Sequence, residues 1–423
     1  MSGVAAHDAP SVRSTAPVYA LVLLTAVSFF NYLDRMVVAI LVEPIKLEFG
    51  LSDTQMGLIT GFAFAMLYAI LGLPLARIAD RHSRITLVSI CLAVWSAMTA
   101  LTGLARNFVE LFAVRMAVGV GEAGCVPAAH SLLGDLFPRE RRAFAISVFQ
   151  AGGVLGQSAG LVLAAVVAQV WGWRAAMIVV GLLGIPLAIL MFFTVREPPR
   201  SETHAQASGE SMLATLKALM VRPPLVHIIL GIAVGAFGSY GMGQWLPSFF
   251  IRIHGLSLSE VGLYSGAVAT VGAVLGTVFG GYALTRLGPR DIRWELWWPM
   301  IVFAIFPLFM LPSLWVDDWK AALGLQLIGF FIGASGAGVA LSALQTYAEQ
   351  HRRATAVAIT LLMSSLLGLG LGPVAVGAIS DFLAPTFGTD SLRYALIATG
   401  FMPFWAATHF WLASRSSKRW SLA

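Results

Sequence analysis

Charged residues are scarce in this chain. Asp, Glu, Lys and Arg make up 11% of its 423 residues, whereas hydrophobic residues make up 58%. A soluble domain usually carries roughly a quarter charged residues. With so few charges the chain cannot cover a water-exposed surface, so lipid must be its main solvent. This composition excludes a soluble enzyme or a soluble binding domain.

Cysteines and enzyme motifs are also few. Cys91 and Cys125 both lie in apolar stretches, where a buried structural thiol is expected. The sequence has no HExxH, P-loop or paired CxxC motif. GVGEAG at 119–124 and GQSAG at 156–160 resemble enzyme motifs, but both lie inside apolar stretches without the strand that such motifs follow. We therefore expect no enzyme activity, no cofactor and no bound metal.

Long apolar stretches dominate what is present. A helix of about 20 apolar residues spans the hydrocarbon core of a bilayer. Twelve such stretches predict an all-α membrane protein. They lie at about 17–43, 54–76, 85–105, 107–133, 142–169, 174–195, 223–250, 260–285, 296–315, 320–347, 354–380 and 391–413.

One long polar break divides these spans into two sets of six. The predicted organisation is a tail at 1–16, a six-helix bundle at 17–195, a linker at 196–222, a second six-helix bundle at 223–413 and a tail at 414–423. Within the linker, apolar residues at helical spacing predict an amphipathic helix on the membrane surface. They are Met212, Leu213, Leu216, Leu219 and Met220.

The two halves resemble each other. RRAFAISV at 141–148 matches RRATAVAI at 352–359, and ARIADRHSR at 76–84 aligns with GYALTRLGP at 281–289. Their offsets, 211 and 205 residues, are nearly constant, which indicates a duplicated six-span unit. Two parallel six-span halves around a midplane cavity describe the major facilitator architecture.

The basic residues are distributed unevenly. With the N-terminus inside, 19 Lys and Arg lie on the inner side and six on the outer side. Cytoplasmic loops carry such an excess, so both termini are predicted to be cytoplasmic. The net charge of +6 is therefore a topology signal, and we expect no nucleic-acid binding.

Four charged residues lie well inside the predicted spans, all in the first half. Asp34 and Arg35 are in span 1, and Arg115 and Glu122 are in span 4. Buried charges in membranes usually mark ion or substrate pathways. Counted from the inner ends of straight helices, Asp34 and Arg115 are level and could pair, at roughly 25 and 27 Å. Glu122 lies deeper, with no partner at its own level.

These four residues are the predicted centre of function. Burial and a movable Arg change the proton affinity of a carboxylate in opposite directions, so Asp34 and Glu122 are predicted to be the proton-coupling pair. Arg35 and Arg115 are predicted counter-charges or anchors for an anionic group of a substrate. The alternative is a static network that holds spans 1 and 4 together, although buried ion pairs are weak stabilising devices.

Polar residues elsewhere suggest a gate and a cavity. Asp80, Arg81 and Arg84 follow span 2 and are predicted to form a cytoplasmic gate, with Asp80 near the dipole end of a neighbouring helix. Thr285 replaces Asp80 in the second half, where a gate should be weaker. That half has no deeply buried charge, so we expect it to supply a mostly apolar and aromatic wall. The candidates for cavity lining are Tyr32, Tyr240, Gln244, Trp245, Ser335 and Gln345.

Several motifs together resemble one family. NYLDR at 31–35, LARIADRHSR at 75–84, RMAVGVGEA at 115–123 and DLFPRERRA at 135–143 resemble the spinster family of major facilitator transporters. The resemblance implies proton-coupled transport of lysolipids or sphingosine phosphate. It places the family's functional residues at the four buried charges named above. The motif after span 2 departs from the usual form, since alanine and serine stand at two positions where glycines are typical.

The expected protein is thus a proton-coupled secondary active transporter that works by alternating access and moves an amphipathic or lipid-like substrate, such as a lysolipid or sphingolipid, across the membrane. We expect a monomer in a bacterial inner membrane whose partners are the bilayer, protons and that substrate. Two alternatives stay open. The first is a proton-coupled carrier of small organic anions or drugs, which extra cations in both halves would favour. The second is a non-transporting membrane receptor or enzyme, which would need a reactive constellation or a sizeable soluble domain.

Overall fold

The computed structural model describes residues 16–198, 217–349 and 352–417, and within these ranges it contains helices and no strand. Nine continuous helical runs there are long and apolar enough to span a membrane. Two of these runs are broken at glycines with positive φ, Gly172 and Gly388, and each supplies two crossings. A further crossing consists of two shorter helices, Phe108–Ala123 and Cys125–Leu136. The structure therefore has twelve crossing helices, α1 to α12, as predicted.

The first half supplies α1 to α6. A short helix, Val42–Phe49, lies between α1 and α2. The α2 helix begins at a capping box, in which the Ser52 side chain accepts a hydrogen bond from the backbone N–H of Gln55. The bounds are Pro17–Ile40 for α1, Asp53–Gly57, Leu58–Phe62 and Ala63–Arg81 for α2, Arg84–Thr102 for α3, Phe108–Ala123 and Cys125–Leu136 for α4, and Arg139–Thr194 for α5 and α6 together.

The second half supplies α7 to α12. Its last helix continues to Ser417, four residues beyond the predicted end of the bundle. Segments of α2 and α11, Leu58–Phe62 and Ser364–Leu371, are π-helical and contact each other across the halves. The bounds are Pro223–His254 for α7, Leu258–Leu287 for α8, Trp294–Ile305 and Pro307–Ser313 for α9, Trp319–Tyr347 for α10, Arg353–Met363, Ser364–Leu371 and Gly372–Phe387 for α11, and Ser391–Gly400 and Met402–Ser417 for α12.

Most of the predicted amphipathic helix in the linker lies outside the described residues. Two of its apolar positions are described. Leu219 is buried and packs in a cluster with Leu225 and Ile228 at the start of α7, whereas Met220 is 60% exposed. The described end of the linker is therefore held against the second half by Leu219, one of the two predicted apolar positions that are described.

The two ends of the bundle differ in how the halves meet. We call the end that carries Pro17 and Ser417 the terminus side, and the other end the far side. Towards the far side, α2 packs against α11 and α5 packs against α8. A Cβ atom at Gly377 of α11 would lie 2.3 Å from the carbonyl oxygen of Asp53, so this approach requires glycine. The halves are closed against each other at the far side.

Candidate functional site

A cavity of about 270 Å³ lies between the two halves. Both arginines inside the predicted spans, Arg35 and Arg115, line it. Tyr32, Tyr240 and Gln244 also line it. The cavity therefore has a cationic region on the first half, which faces the second half across it.

Three other predicted lining residues lie elsewhere. Trp245 is buried inside the second half, where its indole N–H donates to the carbonyl oxygen of Pro373 at 2.9 Å. Ser335 donates to the carbonyl oxygen of Ile332 within its own helix. Gln345 is exposed and does not line the cavity. The prediction for these three was wrong because the hydropathy of a span does not show which face of its helix meets the cavity.

The second half also contributes polar groups that the sequence analysis missed. Gln326 of α10 and Thr270 of α8 line the cavity from the second half, and Gln157 and Ser158 of α5 line it from the first. The hydroxyl groups of Ser158 and Thr270 are hydrogen-bonded across the halves. The expected apolar wall is therefore partly polar. The sequence signals such a lining residue only by an amide within an apolar span. A Gln residue alone does not show whether its side chain points into the cavity.

Glu122 has a direct partner. Its Oε2 accepts a hydrogen bond from Nε of Arg35 at 2.8 Å, with the Glu122 side chain fully buried and the Arg35 side chain 13% exposed. The prediction that Glu122 has no partner at its level was wrong. Counting residues along straight, parallel helices ignores helix tilt and the length of the Arg side chain. The second carboxylate oxygen of Glu122 has no hydrogen-bond partner.

Asp34 is turned away from this pair. The Thr99 hydroxyl of α3 donates to Oδ2 of Asp34 at 2.5 Å, and Oδ1 has no hydrogen-bond partner. The predicted Asp34–Arg115 ion pair does not form between these described residues. Successive residues of a helix point about 100° apart, so Asp34 can face α3 while Arg35 faces α4.

Arg115 is the least satisfied charge of the site. Its side chain is 2% exposed, and its Nε and Nη1 atoms have no hydrogen-bond partner. A buried cation without a direct partner is unfavourable in a membrane interior and usually marks a functional site. Since Arg115 also lines the cavity, its guanidinium is available to an anion that enters there.

The predicted gate residues do not form one cluster. Arg84 is buried and binds within the first half, to Asp135 at 2.5 Å and to Glu197 at 2.6 Å. Asp80 and Arg81 are exposed at the end of α2. Arg84 lies apart from these two residues because the first residue of α3 turns inward between the ends of α4 and α6, and the gate stays a prediction.

We expect Arg84→Ala to lower the thermal stability of the protein in detergent by several degrees. Removal of one partner from a buried ion pair leaves uncompensated charges and costs about 3–5 kcal/mol. Asp135 would lose its cation in a site where its side chain is 2% exposed. Arg81→Ala is the control, since that side chain is exposed. An equal Tm for the two variants would contradict the structural role of Arg84.

The far side holds a charged contact that the sequence analysis missed. Arg252 of α7 binds both carboxylate oxygens of Asp53, at 2.7 and 2.8 Å. Its Nε donates to Glu43 at 2.8 Å, and Lys46 also binds Asp53. Asp53 and Glu43 belong to the first half and Arg252 to the second. A bidentate Arg–carboxylate contact therefore joins the halves.

In a second contact the carboxylate belongs to the second half and its partners to the first. Asp381 of α11 accepts hydrogen bonds from the backbone N–H groups of Asp53 and Thr54, at 2.9 and 2.7 Å, and from the Thr54 hydroxyl. A carboxylate is favourable at the N-terminus of a helix, here that of α2. The Ser380 hydroxyl donates to Asp53 at 2.6 Å. We call this set the far-side cluster: Glu43, Lys46, Asp53, Thr54, Arg252, Ser380 and Asp381.

The terminus side is arranged differently. Three ion pairs among its described residues each lie within one half. Arg84 pairs with Asp135 and Glu197 in the first half, and Arg222 pairs with Glu349 in the second. The charged contacts that join the halves are thus found at the far side within the described part of the chain.

Comparisons with known proteins show that the chain belongs to a family of transporters. The family model of the Major Facilitator Superfamily matches residues 24–373. An MFS-type efflux pump of Mycolicibacterium smegmatis is 33% identical over 94% of this chain and 92% of its own length. The sphingosine-1-phosphate transporter of Danio rerio is 28% identical over 96% of this chain and 86% of its own length.

A solved structure is also similar. It is a bacterial homologue of the human lysosomal transporter spinster, in an inward-facing and unoccupied conformation. It matches with a TM-score of 0.87 and 28% identity, over 96% of this chain and 99% of the other. The inward-facing, occupied conformation of a bacterial spinster homologue matches with a TM-score of 0.84.

Proposed function

Since the chain is a spinster-type member of the Major Facilitator Superfamily, we propose that it is a proton-coupled secondary active transporter that moves an amphipathic, lipid-like substrate by alternating access. Its relatives are membrane transporters and not enzymes. The observation that carries the proposal is the contact between Glu122 and Arg35 at the cavity, beside an Arg115 that has no direct acidic partner.

Proton coupling is supported by the chemistry of this contact. A proton on Glu122 removes the charge that holds Arg35, so protonation frees a cation that lines the cavity. An anionic group bound by Arg35 competes with Glu122 in the same way. Proton binding at Glu122 and anion binding at Arg35 therefore favour each other, which is the reciprocal coupling that a symporter needs. Asp34, held by Thr99, is proposed as the second proton-linked carboxylate.

The lining of the cavity supports an amphipathic substrate. Arg35 and Arg115 suit an anionic head group, whereas Leu161, Ala269 and Phe330 offer apolar surface across the cavity. The cavity volume of about 270 Å³ is at the small end for ligand sites. A lysolipid would therefore place its head group in the cavity and extend its acyl chain beyond it. A lysolipid or sphingolipid is the proposed substrate class.

The proposed orientation follows from the basic residues. With both termini in the cytoplasm, the terminus side faces inward and the far-side cluster closes the outer end of the cavity. The structure is then the inward-facing state, in agreement with the similar inward-facing structure of a bacterial spinster homologue. A bacterial inner membrane is the proposed location.

Flux into proteoliposomes under an imposed pH gradient tests the proposal. We expect uptake of sphingosine-1-phosphate to depend on the gradient and to collapse when a protonophore removes it. Gluconate serves as the small organic anion, and protein-free liposomes serve as the blank. Arg115→Gln should weaken the uptake, because the head group loses its free cation. If the uptake of sphingosine-1-phosphate did not depend on the pH gradient, the proposed proton coupling would be wrong.

A carrier of small organic anions or drugs is the second candidate. The amides of Gln157, Gln244 and Gln326 favour it, since all three line the cavity and an amide can bind a polar substrate. The efflux pump among the relatives agrees with this candidate. Gradient-dependent uptake of gluconate without uptake of the lipid would select it.

A further inference from the structure

The Phe64 side chain of α2 contacts both arginines of the cavity. Its ring centroid lies 4.9 Å from Cζ of Arg35 and 5.7 Å from Cζ of Arg115. Phe64 is 1% exposed and belongs to the lining of the cavity. Both distances are within the roughly 6 Å over which an aromatic ring attracts a cation. One uncharged ring thus contacts both cations.

The backbone fixes the level of this ring. A Cβ atom at Gly119 of α4 would lie 2.4 Å from the carbonyl oxygen of Phe64, so α2 and α4 are in direct backbone contact there. Gly119 is four residues after Arg115 and three residues before Glu122, on the same face of α4. Phe64 is therefore anchored between the levels of these two charges, which are roughly 10 Å apart along the helix axis.

A neighbouring ring supports this position. Tyr68, one turn further along α2, is stacked on Phe64 with ring centroids 5.3 Å apart and an angle of 22° between the planes. Arg35 also lies 5.1 Å from the ring of Tyr68. Arg35 is held by these two rings and by Glu122, so it is fixed on one side of Phe64.

The chemistry of phenylalanine matters at this position. A ring attracts a guanidinium through its π electrons but offers no strong hydrogen-bond acceptor. Arg115 is therefore held while its Nε and Nη1 donors are left without a hydrogen-bond partner. A flexible aliphatic side chain would leave room for Arg115 to move towards Glu122, the carboxylate on its own helix face.

We propose that Phe64 is a positioning residue that separates Arg115 from Glu122 and so reserves the donors of Arg115 for the anionic group of the substrate. Without this separation the carboxylate of Glu122 would bind both arginines, and the cavity would lose its free cation. The role in substrate binding rests on the proposed function, whereas the separation of the two charges does not.

Substrate kinetics test the first part. We expect Phe64→Leu, which keeps apolar volume but removes the ring, to raise the KM for sphingosine-1-phosphate about tenfold and to leave kcat within about twofold, because Arg115 would then pair with Glu122 instead of the head group. Phe149→Leu is the matched control: Phe149 is equally buried in the first half but does not line the cavity. Equal KM values for the two variants would overturn the role in binding.

A double-mutant cycle tests the separation without any substrate. Tm is measured in detergent for Arg115→Gln, Glu122→Gln and both together, in the native and the Phe64→Leu backgrounds. We expect weak coupling in the native background and clearly stronger coupling with Leu at position 64, where the two charges can pair. Phe64→Met replaces Phe64→Leu if the latter does not fold. Equal coupling in both backgrounds would overturn the proposal, even if the lipid proves not to be a substrate.

Discussion

Glu122→Gln is expected to abolish accumulation of substrate against its gradient while leaving the protein folded. The amide has nearly the shape of the carboxylic acid but cannot release a proton, so Arg35 remains permanently without its anionic partner. Proton and substrate fluxes would then be uncoupled. The measurement is uphill uptake in proteoliposomes with an imposed pH gradient, followed by downhill exchange of labelled substrate without a gradient.

Glu110→Gln provides the matched control on the same helix. Glu110 pairs with the exposed Arg106 at the start of α4, and such surface pairs contribute little. Asp34→Asn should share the loss of pH-dependent transport if both carboxylates are proton-linked. Unchanged uphill uptake in both Glu122→Gln and Asp34→Asn would refute the assignment of proton coupling to these residues.

Arg252→Gln is expected to open the far side. Arg252 is the cation of the second half that binds Asp53 and Glu43 of the first half. Removing one partner of a buried charge pair costs about 3–5 kcal/mol, and this loss applies only in the state where the far side is closed. A shift of about 3 kcal/mol changes the ratio of two states by roughly a hundredfold.

Spin labels can report this change. Leu47 and Phe382 lie next to the far-side cluster on opposite halves and are 80% and 82% exposed, which makes them suitable for replacement by labelled cysteine. The native cysteines are buried. The distance between the labels should increase with Arg252→Gln and stay unchanged with Arg174→Gln, which breaks an ion pair with Glu48 inside the first half. No increase with Arg252→Gln would contradict the role of the cluster in closing the far side.

Hydropathy was sufficient to predict the fold, because each crossing helix must carry enough apolar residues to span the bilayer. It was also sufficient to identify the four buried charges, which are rare within such stretches. Their pairing could not be predicted, since it depends on helix tilt and rotation. Arg35 rather than Arg115 makes the direct ion pair, and it is bonded to Glu122 rather than to Asp34.

The far-side cluster was missed for a different reason. Arg252 and Lys46 lie just after the predicted ends of spans, where a charged side chain is expected to be exposed. Asp53 lies at the start of a helix, and Asp381 lies just after the end of a predicted span. The packing of α2 against α11 brings Asp381 to Asp53 and Thr54, which are 328 and 327 residues away in the sequence. A single sequence does not show such a contact.

The π-helical segment Leu58–Phe62 lies between Asp53 of the far-side cluster and Phe64 of the cavity. The backbone hydrogen bonds of a π-helix run i→i+5, whereas those of an α-helix run i→i+4. A π-helix therefore has more residues per turn. Deletion of one residue from this segment would rotate Phe64 by roughly 100° relative to Asp53. The length of this segment therefore sets the phase between the two sites, so that a single insertion or deletion there should disturb both the far-side cluster and the cavity.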